Sequence, residues 1–250
     1  MKIASVPCTA LAAALVVLSV RAPAQHAGDI GVGRTAAGQL VPRPFVPGEP
    51  TPSFDVVTGV GVLTAIPDPP APPTSFRSTD PGFDANFPAD PVRDYYPLET
   101  GASIRLVAAT DLEPAFRVRY SSQTIRVAGD FIALGSYQLH RHPIWIVDCA
   151  DPGYDPLRTL WYGTFILRDV GPTAYADSAP FTLRFSIVPC TPGDVNGDGA
   201  VDFDDIDPFV AALGGGAAVP VQQRCAADCN LDGYVTFDDI DPFVAALSGS

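Results

Sequence analysis

Two short runs of oxygen-bearing side chains near the end of the chain carry the clearest chemistry. The first run begins at Asp194 and the second begins at Asp228, 34 residues later. A calcium loop of twelve residues supplies oxygen ligands from positions 1, 3, 5, 7, 9 and 12, and it requires glycine at position 6 for a sharp turn. Both runs fill every ligand position and place a glycine, Gly199 or Gly233, at position 6. The spacing therefore predicts two Ca²⁺ sites.

The expected ligands are mainly carboxylate oxygens, with one asparagine and one backbone carbonyl in each loop. In the first loop they are Asp194, Asn196, Asp198, Ala200 (through its carbonyl), Asp202 and Asp205. In the second loop they are Asp228, Asn230, Asp232, Tyr234 (through its carbonyl), Thr236 and Asp239. Because all of these are hard oxygen ligands, the expected cofactor is Ca²⁺, with two ions per chain. Loop one offers more carboxylates than loop two, so we expect it to bind Ca²⁺ more tightly.

An identical stretch of eleven residues begins at position 10 of each loop. Residues Phe203–Leu213 and Phe237–Leu247 have the same sequence, which indicates an internal duplication with repeats at 194–213 and 228–247. Within the first copy, Ile206, Phe209 and Val210 recur at helical spacing and predict a short helix after the loop. Neither helix is long enough to be stable alone, so we expect the two helices to pack together.

A loop followed by a single helix, duplicated and with Asp at position 12, resembles a type I dockerin domain over about Gly193 to Leu247. The resemblance implies a small all-α module at 191–250 that binds two Ca²⁺ ions. It also implies docking onto a cohesin-like module or a cell-surface protein, which attaches a secreted protein to a scaffold. Loop positions 10 and 11 would face that partner, and these residues are Phe203, Asp204, Phe237 and Asp238. Because the two faces are identical, either of two docking orientations is implied.

The beginning of the chain has the features of a targeting segment. Lys2 precedes the apolar run Leu11–Val20, and the small residues Ala22 and Ala24 follow it. This pattern predicts a signal peptide at 1–24, an extracellular location and no membrane span after cleavage. The net charge is −13, and ten of these charges belong to residues 191–250. An acidic chain without a basic patch is not expected to bind nucleic acid.

The region between the two ends has the composition of a β-sheet protein. A Pro/Gly-rich segment at 25–53, predicted to cross the surface as extended chain, precedes a domain at 54–190 that contains a Pro-rich loop at about 67–97. The predicted strands are Phe54–Ile66, Ser103–Ala109, Ala115–Tyr120, Thr124–Val127, Phe131–Leu134, Pro143–Val147, Thr159–Arg168 and Phe181–Val188. Short strands at regular spacing favour a mainly β fold, namely an antiparallel β-sandwich or jelly-roll-like domain followed by the all-α module.

Four cysteines remain after the predicted signal cleavage, and four cysteines allow three pairings. They are Cys149, Cys190, Cys225 and Cys229. We favour one bridge within the β domain, Cys149–Cys190, and one beside the second loop, Cys225–Cys229. The alternative connects Cys190 to the second repeat. Sequence spacing does not decide between these pairings, because a disulfide depends on the distance between Cα atoms in the fold.

The β domain contains candidate groups for other chemistry. His140 and His142 would point to the same side of a strand, and with Asp148 or another carboxylate they could hold a transition metal. We favour a polar strand edge without a metal, because no further histidine lies nearby in the sequence. A glycoside hydrolase needs two carboxylates, for which the candidates are Asp80, Asp84, Asp90, Glu99, Asp111 and Glu113. Aromatic residues that could stack on sugars or fill the core are Tyr95, Tyr96, Trp145, Trp161 and Tyr162.

These features predict a secreted calcium-binding protein whose C-terminal module mediates attachment or assembly of a β domain of unidentified ligand, without enzymatic activity. The alternative is an extracellular carbohydrate-active enzyme of the glycoside hydrolase type, tethered by the same module and acting in polysaccharide breakdown. A cleft with two convergent carboxylates would favour the enzyme. In a third hypothesis the module is purely structural, and its helix faces are covered by the β domain.

Overall fold

The computed structural model describes residues 29–44, 60–62, 64–66 and 74–248. The signal peptide predicted for residues 1–24 lies outside this part of the chain. Strands make up 33% of the structure and helices 19%, which confirms the prediction of a mainly β fold with helices at the C-terminal end. In the described part of the chain, every helix is too short or too polar to cross a membrane.

Fourteen strands in the described residues precede the three α-helices. They are β1 (Ile30–Arg34), β2 (Leu40–Pro44), β3 (Val60–Val62), β4 (Thr64–Ile66), β5 (Ser75–Ser78), β6 (Phe83–Asp84), β7 (Ser103–Ala108), β8 (Phe116–Tyr120), β9 (Gln123–Ile125), β10 (Phe131–Ser136), β11 (His140–Arg141), β12 (Ile144–Asp148), β13 (Leu160–Asp169) and β14 (Phe181–Ser186). The helices are α1 (Ile206–Gly215), α2 (Val221–Ala227) and α3 (Ile240–Leu247). Short 3₁₀ turns at Phe203–Asp205 and Phe237–Asp239 lead directly into α1 and α3.

The strands form three sheets. A four-stranded sheet has the order β11-β6-β1-β2, and two five-stranded sheets have the orders β10-β7-β13-β14-β3 and β4-β5-β12-β8-β9. The pairs β1–β6 and β3–β14 are parallel, and the other described pairs are antiparallel. The four-stranded sheet brings β1 close to β11, although more than a hundred residues separate these strands in the chain.

A core of aromatic side chains joins the two five-stranded sheets. Trp145 on β12 is fully buried, and its ring centroid lies 4.7 Å from Phe185 on β14 and 5.8 Å from Phe165 on β13. Along β13 the buried side chains Trp161, Phe165 and Leu167 are spaced at two or four residues. This spacing is the period of two that places alternate side chains on the same face of a strand.

Most of the predicted strands from residue 103 onward are confirmed to within a few residues, as in β7, β8 and β12. Three predictions toward the N-terminus differ from the structure. Phe54–Ile66 is not a single strand, because its described residues form β3 and β4 in different sheets. The segment at 25–53 contributes β1 and β2, and the Pro-rich loop at about 67–97 contributes β5 and β6.

Proline in β2 explains why this hairpin was not predicted. Pro42 and Pro44 lack the backbone N–H that a central strand needs, and a proline-rich segment therefore resembles a loop in sequence. In the structure β2 is an edge strand, where an N–H directed away from the sheet is not required. Ile30, Val32 and Leu40 on this hairpin are buried in the main core, so the segment is part of the fold and not a surface extension.

The two repeats of the module pack against each other as predicted. Phe209 on α1 and Phe243 on α3 stack with ring centroids 4.0 Å apart and planes within 5° of parallel. Val195 and Ala226 complete a small apolar cluster with them. Pro208 lies in the first turn of α1, where the helix loses little from its missing N–H.

A helix before the second loop was not predicted. We expected each loop to be followed by a helix but not preceded by one, yet α2 runs directly into the second loop at Asp228. A helix of seven residues has little intrinsic stability, so it depends on tertiary contacts that a sequence does not display. Ala226 and Ala227 are buried in the module, and the Arg224 guanidinium donates a hydrogen bond of 3.0 Å to the carbonyl of Pro156 in the β domain.

The disulfide joins Cys190 to Cys225, with their Cα atoms 5.9 Å apart. The favoured pairing of Cys149 with Cys190 and Cys225 with Cys229 is therefore wrong, and the alternative that connects Cys190 to the second repeat is confirmed. Cys149 and Cys229 are free thiols. The reason is α2, which buries the Cys225 sulfur toward the β domain, 3.1 Å from Ser186 Oγ. Cys229 follows the end of this helix.

Candidate calcium loops and the surfaces beside them

Hydrogen bonds from the loop backbone to its own side chains shape loop one. The Asp194 carboxylate accepts from the backbone N–H groups of Gly197, at 2.9 Å, and Gly199, at 3.1 Å. Asn196 Oδ1 accepts from Asp198 N–H at 2.8 Å. Both glycines have positive φ angles of 78° and 92°, a conformation that side chains with a Cβ rarely adopt. The turn at position 6 that the sequence predicted is therefore present.

The carboxylate at position 12 closes each loop. Asp205 and Asp239 are fully buried, and each accepts two backbone hydrogen bonds of 2.8 to 3.0 Å, one from position 3 and one from position 9 of its own loop. The donors are Asn196 and Asp202 in loop one and Asn230 and Thr236 in loop two. The same two bonds occur in both loops, so the two loops share one backbone architecture.

The side chain at position 9 belongs to the loop and also caps the 3₁₀ turn that follows it. The Asp202 carboxylate accepts from Asp204 N–H at 2.9 Å, and the Thr236 hydroxyl accepts from Asp238 N–H at 3.2 Å. Each of these side chains also forms a reciprocal capping box with the aspartate at position 12. Because a capping box satisfies N–H groups that the first turn leaves unpaired, the loop fixes the position of the 3₁₀ turn that leads into each helix.

The charge and the ligand types of the loops fit Ca²⁺. Burial raises the pKa of Asp228 to about 6, with the charges of Asp239 and Asp232 contributing, and burial also raises the pKa of Asp239. A divalent cation would relieve this concentration of negative charge, and oxygen is the ligand that Ca²⁺ prefers. Among the described residues, however, no three carboxylates of a loop bring their oxygens within 4.8 Å of one another. The ligand set named above would therefore have to contract around an ion.

The raised pKa of Asp228 also affects stability without metal. A carboxyl with a higher pKa in the folded state than in the unfolded state holds its proton more tightly when folded. Its stabilising contribution is complete below the unfolded pKa of about 4 and is lost as the pH rises through the folded value. That value is about 6 for Asp228. The metal-free second loop is thus destabilised at neutral pH, where Ca²⁺ would replace the proton.

Loop two is docked against the β domain, a feature that its sequence does not reveal. The Thr159 hydroxyl donates a hydrogen bond of 2.5 Å to Asp228 Oδ2, and Thr159 N–H donates one of 2.8 Å to the carbonyl of Gly233. A Cβ at Gly233 would lie 2.9 Å from the carbonyl oxygen of Leu160, so the docking requires glycine there. Asp228 is fully buried as a result, whereas its counterpart Asp194 is partly exposed.

Arg158 holds this docking in place from the β domain. Its guanidinium forms an ion pair of 2.6 Å with Glu113 and donates a hydrogen bond of 2.7 Å to the carbonyl of Leu160. The same guanidinium lies over the ring of Tyr234, 5.1 Å from its centroid. Because Tyr234 supplies the predicted carbonyl ligand at position 7, Arg158 links the β domain to the backbone of loop two.

Replacing Thr159 by valine is expected to weaken Ca²⁺ binding at loop two by about tenfold, within the range for losing an outer hydrogen bond to a metal ligand. Valine keeps the shape of threonine but removes the hydroxyl that lowers the pKa of Asp228. Loop one is the internal control, since Asp194 accepts hydrogen bonds from Gly197 and Gly199 of its own loop. Calorimetric titration of the full chain would measure both sites. Equal weakening at the two loops would contradict the expectation.

Two identical apolar faces stay exposed on the module. Phe203 is 77% exposed and Phe237 is 79% exposed. The Phe203 face consists of Phe203, Ile206 and Val210. The Phe237 face consists of the equivalent residues Phe237, Ile240 and Val244. All six side chains are exposed. The adjacent Asp204 and Asp238 are also exposed. The docking of loop two therefore covers neither face.

In the β domain, the candidate aromatic and carboxylate residues for carbohydrate chemistry are buried in the core or paired with other residues. Tyr95, Trp145 and Trp161 are fully buried, so they fill the core and do not present a surface to sugars. The six candidate carboxylates make separate local contacts: Asp80 with His142, Asp84 with Asn86, Asp90 with Arg93, Glu99 with Arg34, Asp111 with Ala128 N–H and Glu113 with Arg158. A cavity of about 290 Å³ beside β2 has no carboxylate among its described lining residues.

The structure gives the two histidines a carboxylate neighbour other than Asp148. Asp148 forms an ion pair of 2.6 Å with Arg117 instead. Asp29, immediately before β1, lies beside His140 and His142, and ligand atoms of the three residues all lie within 4.8 Å of one another. No local sequence pattern connects Asp29 to the histidines, because more than a hundred residues separate them.

No protein-family model matches this chain, and no curated protein sequence matches it.

Proposed function

We propose that this is a secreted calcium-binding protein whose C-terminal module, residues 191–250, attaches the β domain to a partner outside the cell. The observation that carries the proposal is the exposure of the Phe203 face and the Phe237 face. Loop two packs on the β domain through Thr159, and both faces nevertheless remain open to solvent. A purely structural module would be expected to bury them.

The chemistry of the faces fits protein binding. Large aromatic side chains contribute a disproportionate share of the energy at protein interfaces, whereas monomeric proteins rarely expose extended apolar patches. Asp204 and Asp238 stand beside Phe203 and Phe237 and would form the polar rim of each interface. The partner therefore presents an apolar pocket for one phenylalanine with a basic group beside it. A cohesin-like module or another cell-surface protein is the proposed class.

Ca²⁺ is proposed to hold each face in its binding geometry. Phe203 and Phe237 each open a 3₁₀ turn that begins directly after the capping residue at loop position 9. Two ions would bind to the ligand sets named above, and by neutralising the loop carboxylates they would keep the loops closed. Binding to the partner is consequently expected to depend on Ca²⁺.

The domain that the module carries is proposed to be an antiparallel β-sandwich. Support comes from the aromatic contacts between the two five-stranded sheets, in which Trp145 of one sheet meets Phe165 and Phe185 of the other. The burial of Tyr95 and Trp161 and the local engagement of the candidate carboxylates favour a binding or adhesive role for this domain over glycoside hydrolysis.

Replacing both Phe203 and Phe237 by alanine is expected to reduce partner affinity by at least about thirtyfold, the effect of losing an interfacial hot spot. Either single replacement should cost only about twofold, because the identical second face can still dock. The full chain would be immobilised with Ca²⁺, its partner isolated from the extracellular proteins of the source, and the affinity of that partner measured by titration.

Val92→Ala is the matched control, since Val92 is a highly exposed apolar residue of the β domain, outside the module. This variant should bind the partner as the wild type does. Wild-type affinity in the double variant, or capture that survives a calcium chelator, would refute the proposed function.

A further inference from the structure

Three strands of the four-stranded sheet bring Asp29 and His142 to a single glycine. Ile30 on β1 and Arg141 on β11 both pair with Phe83 on β6, which lies between them. Continuing the parallel ladder by one residue places Asp29 beside Gly82, and continuing the antiparallel ladder places His142 beside Gly82 as well. The contacts agree, because Asp29 Oδ1 accepts a hydrogen bond of 3.1 Å from Gly82 N–H.

Gly82 leaves the space in which these side chains meet. A Cβ at this position would lie 2.6 Å from His142 Cε1 and 2.8 Å from Asp29 Oδ1, both shorter than real contacts. The absence of a side chain is therefore a condition for the close approach of the imidazole to the carboxylate. His140, two residues before His142, points to the same place, as the alternation of a strand requires.

The three facing atoms form a triangle of suitable size for a metal ion. His140 Nε2 and His142 Nε2 are 2.9 Å apart, and Asp29 Oδ2 lies 3.5 Å from the first and 3.8 Å from the second. A point equidistant from all three atoms lies about 2.0 Å from each, which matches the bond lengths of Zn²⁺ to imidazole nitrogen and carboxylate oxygen.

The Asp29 carboxylate lacks a donor for the oxygen that faces the histidines. Its side chain is 1% exposed, and among the described residues Oδ2 accepts no hydrogen bond. A buried anionic oxygen without a partner is costly. A hydrogen bond between the two Nε2 atoms would give each imidazole nitrogen a partner, but Asp29 Oδ2 would still have no hydrogen-bond donor in the described part of the chain. A cation at the centre of the triangle would be coordinated by all three atoms.

The outer contacts of His142 prepare its Nε2 for a metal. Nδ1 lies 3.0 Å from the carbonyl oxygen of Thr79 and 3.2 Å from Asp80 Oδ1. Since both neighbours are acceptors, Nδ1 carries the proton, and in the neutral ring the lone pair of Nε2 is directed at the triangle. This arrangement, with the far nitrogen bonded to a carbonyl or carboxylate, is usual for histidines that bind metals.

We propose that Asp29, His140 and His142 form a binding site for a divalent transition-metal ion such as Zn²⁺, separate from the calcium loops. This differs from our expectation from sequence, which was a strand edge without metal, because the third ligand comes from a distant strand. Two imidazoles among three ligands favour a transition metal over Ca²⁺, which prefers oxygen. The histidine side chains are 28% and 27% exposed, so a further coordination position is open to water or a ligand.

The test is Zn²⁺ binding by the full chain with Ca²⁺ in large excess to occupy the loops. Wild type should retain one equivalent of Zn²⁺ through dialysis, measured by elemental analysis, and Co²⁺ bound in its place should show visible absorption bands. His140→Ala and the nearly isosteric Asp29→Asn should each weaken binding by more than about 100-fold, beyond the range for an outer contact. Asp80→Asn, which alters only an exposed outer contact, should weaken it by about tenfold.

Two control variants separate this site from other sources of Zn²⁺ binding. His26→Ala removes the third histidine of the chain, and Asp194→Ala removes a ligand of loop one; both should bind Zn²⁺ as wild type does. Circular dichroism without Zn²⁺ would verify the fold of each variant. Failure of the wild type to retain Zn²⁺, retention by Asp29→Asn and His140→Ala, or loss in either control would overturn the proposal.

Discussion

Replacing Asp239 by alanine is expected to abolish Ca²⁺ binding at loop two and to destabilise the metal-free module by about 3 kcal/mol, the sum expected for two hydrogen bonds to a buried charged group. The carboxylate is fully buried and accepts hydrogen bonds from the N–H groups of Asn230 and Thr236, at positions 3 and 9 of the loop. Alanine would leave both donors unpaired and remove the predicted ligand at position 12. In Ca²⁺ the difference in stability should be larger, because the wild type alone gains from binding the second ion.

The neighbouring residue provides a matched control for this substitution. Asp238 is exposed, has the same charge and lies outside the predicted ligand set, so Asp238→Ala should keep two Ca²⁺ sites. Calorimetry would count bound ions, and thermal unfolding with chelator would give the change in stability. Two ions bound to Asp239→Ala would show that position 12 is not a ligand. An equal loss in Asp238→Ala would attribute the effect to overall charge.

Replacing Arg158 by alanine is expected to destabilise the folded chain by about 3 kcal/mol, as for removal of one partner from a buried ion pair. Glu113 would keep its charge in a mostly buried position, and the contacts with Leu160 and Tyr234 would be lost. Since Arg158 connects β13 to loop two, we also expect the module to unfold at a lower temperature than the β domain in this variant. Differential scanning calorimetry would show one transition becoming two.

A second arginine tests whether burial is the cause. Arg126 pairs with Asp151 at 3.4 Å, and its side chain is 52% exposed. Exposed ion pairs contribute little, so Arg126→Ala should change stability by less than about 1 kcal/mol. Similar destabilisation by the two substitutions would refute the assignment of Arg158 as the link between the β domain and loop two.

Features that depend on nearby residues were predictable from the sequence. The loop register, the glycine at position 6 and the capped 3₁₀ turn that leads into each helix are determined within a dozen residues, because side chains there bond to adjacent backbone. The packing of α1 on α3 was also predictable, since Phe209 and its copy Phe243 lie at equivalent points of an identical repeat.

Features that depend on long-range contacts were not predictable. The Cys190–Cys225 bridge follows from α2, which is stabilised by contacts with the β domain and not by its own seven residues. Asp29 joins the histidines only because β6 pairs with β1 on one side and with β11 on the other. The contact between Thr159 and Asp228 likewise depends on how the module rests on β13. Each of these requires the fold before it can be inferred.

The disulfide shortens the covalent path that a pulling force would follow through the proposed attachment module. A pulling force applied to the Phe237 face would pass from α2 through the bridge at Cys225 and Cys190 toward β14, without passing along residues 191–224. The first repeat is therefore a closed loop outside the load-bearing path. The Phe203 face could release a bound partner while the distance between the β domain and a partner held by the second repeat stays the same.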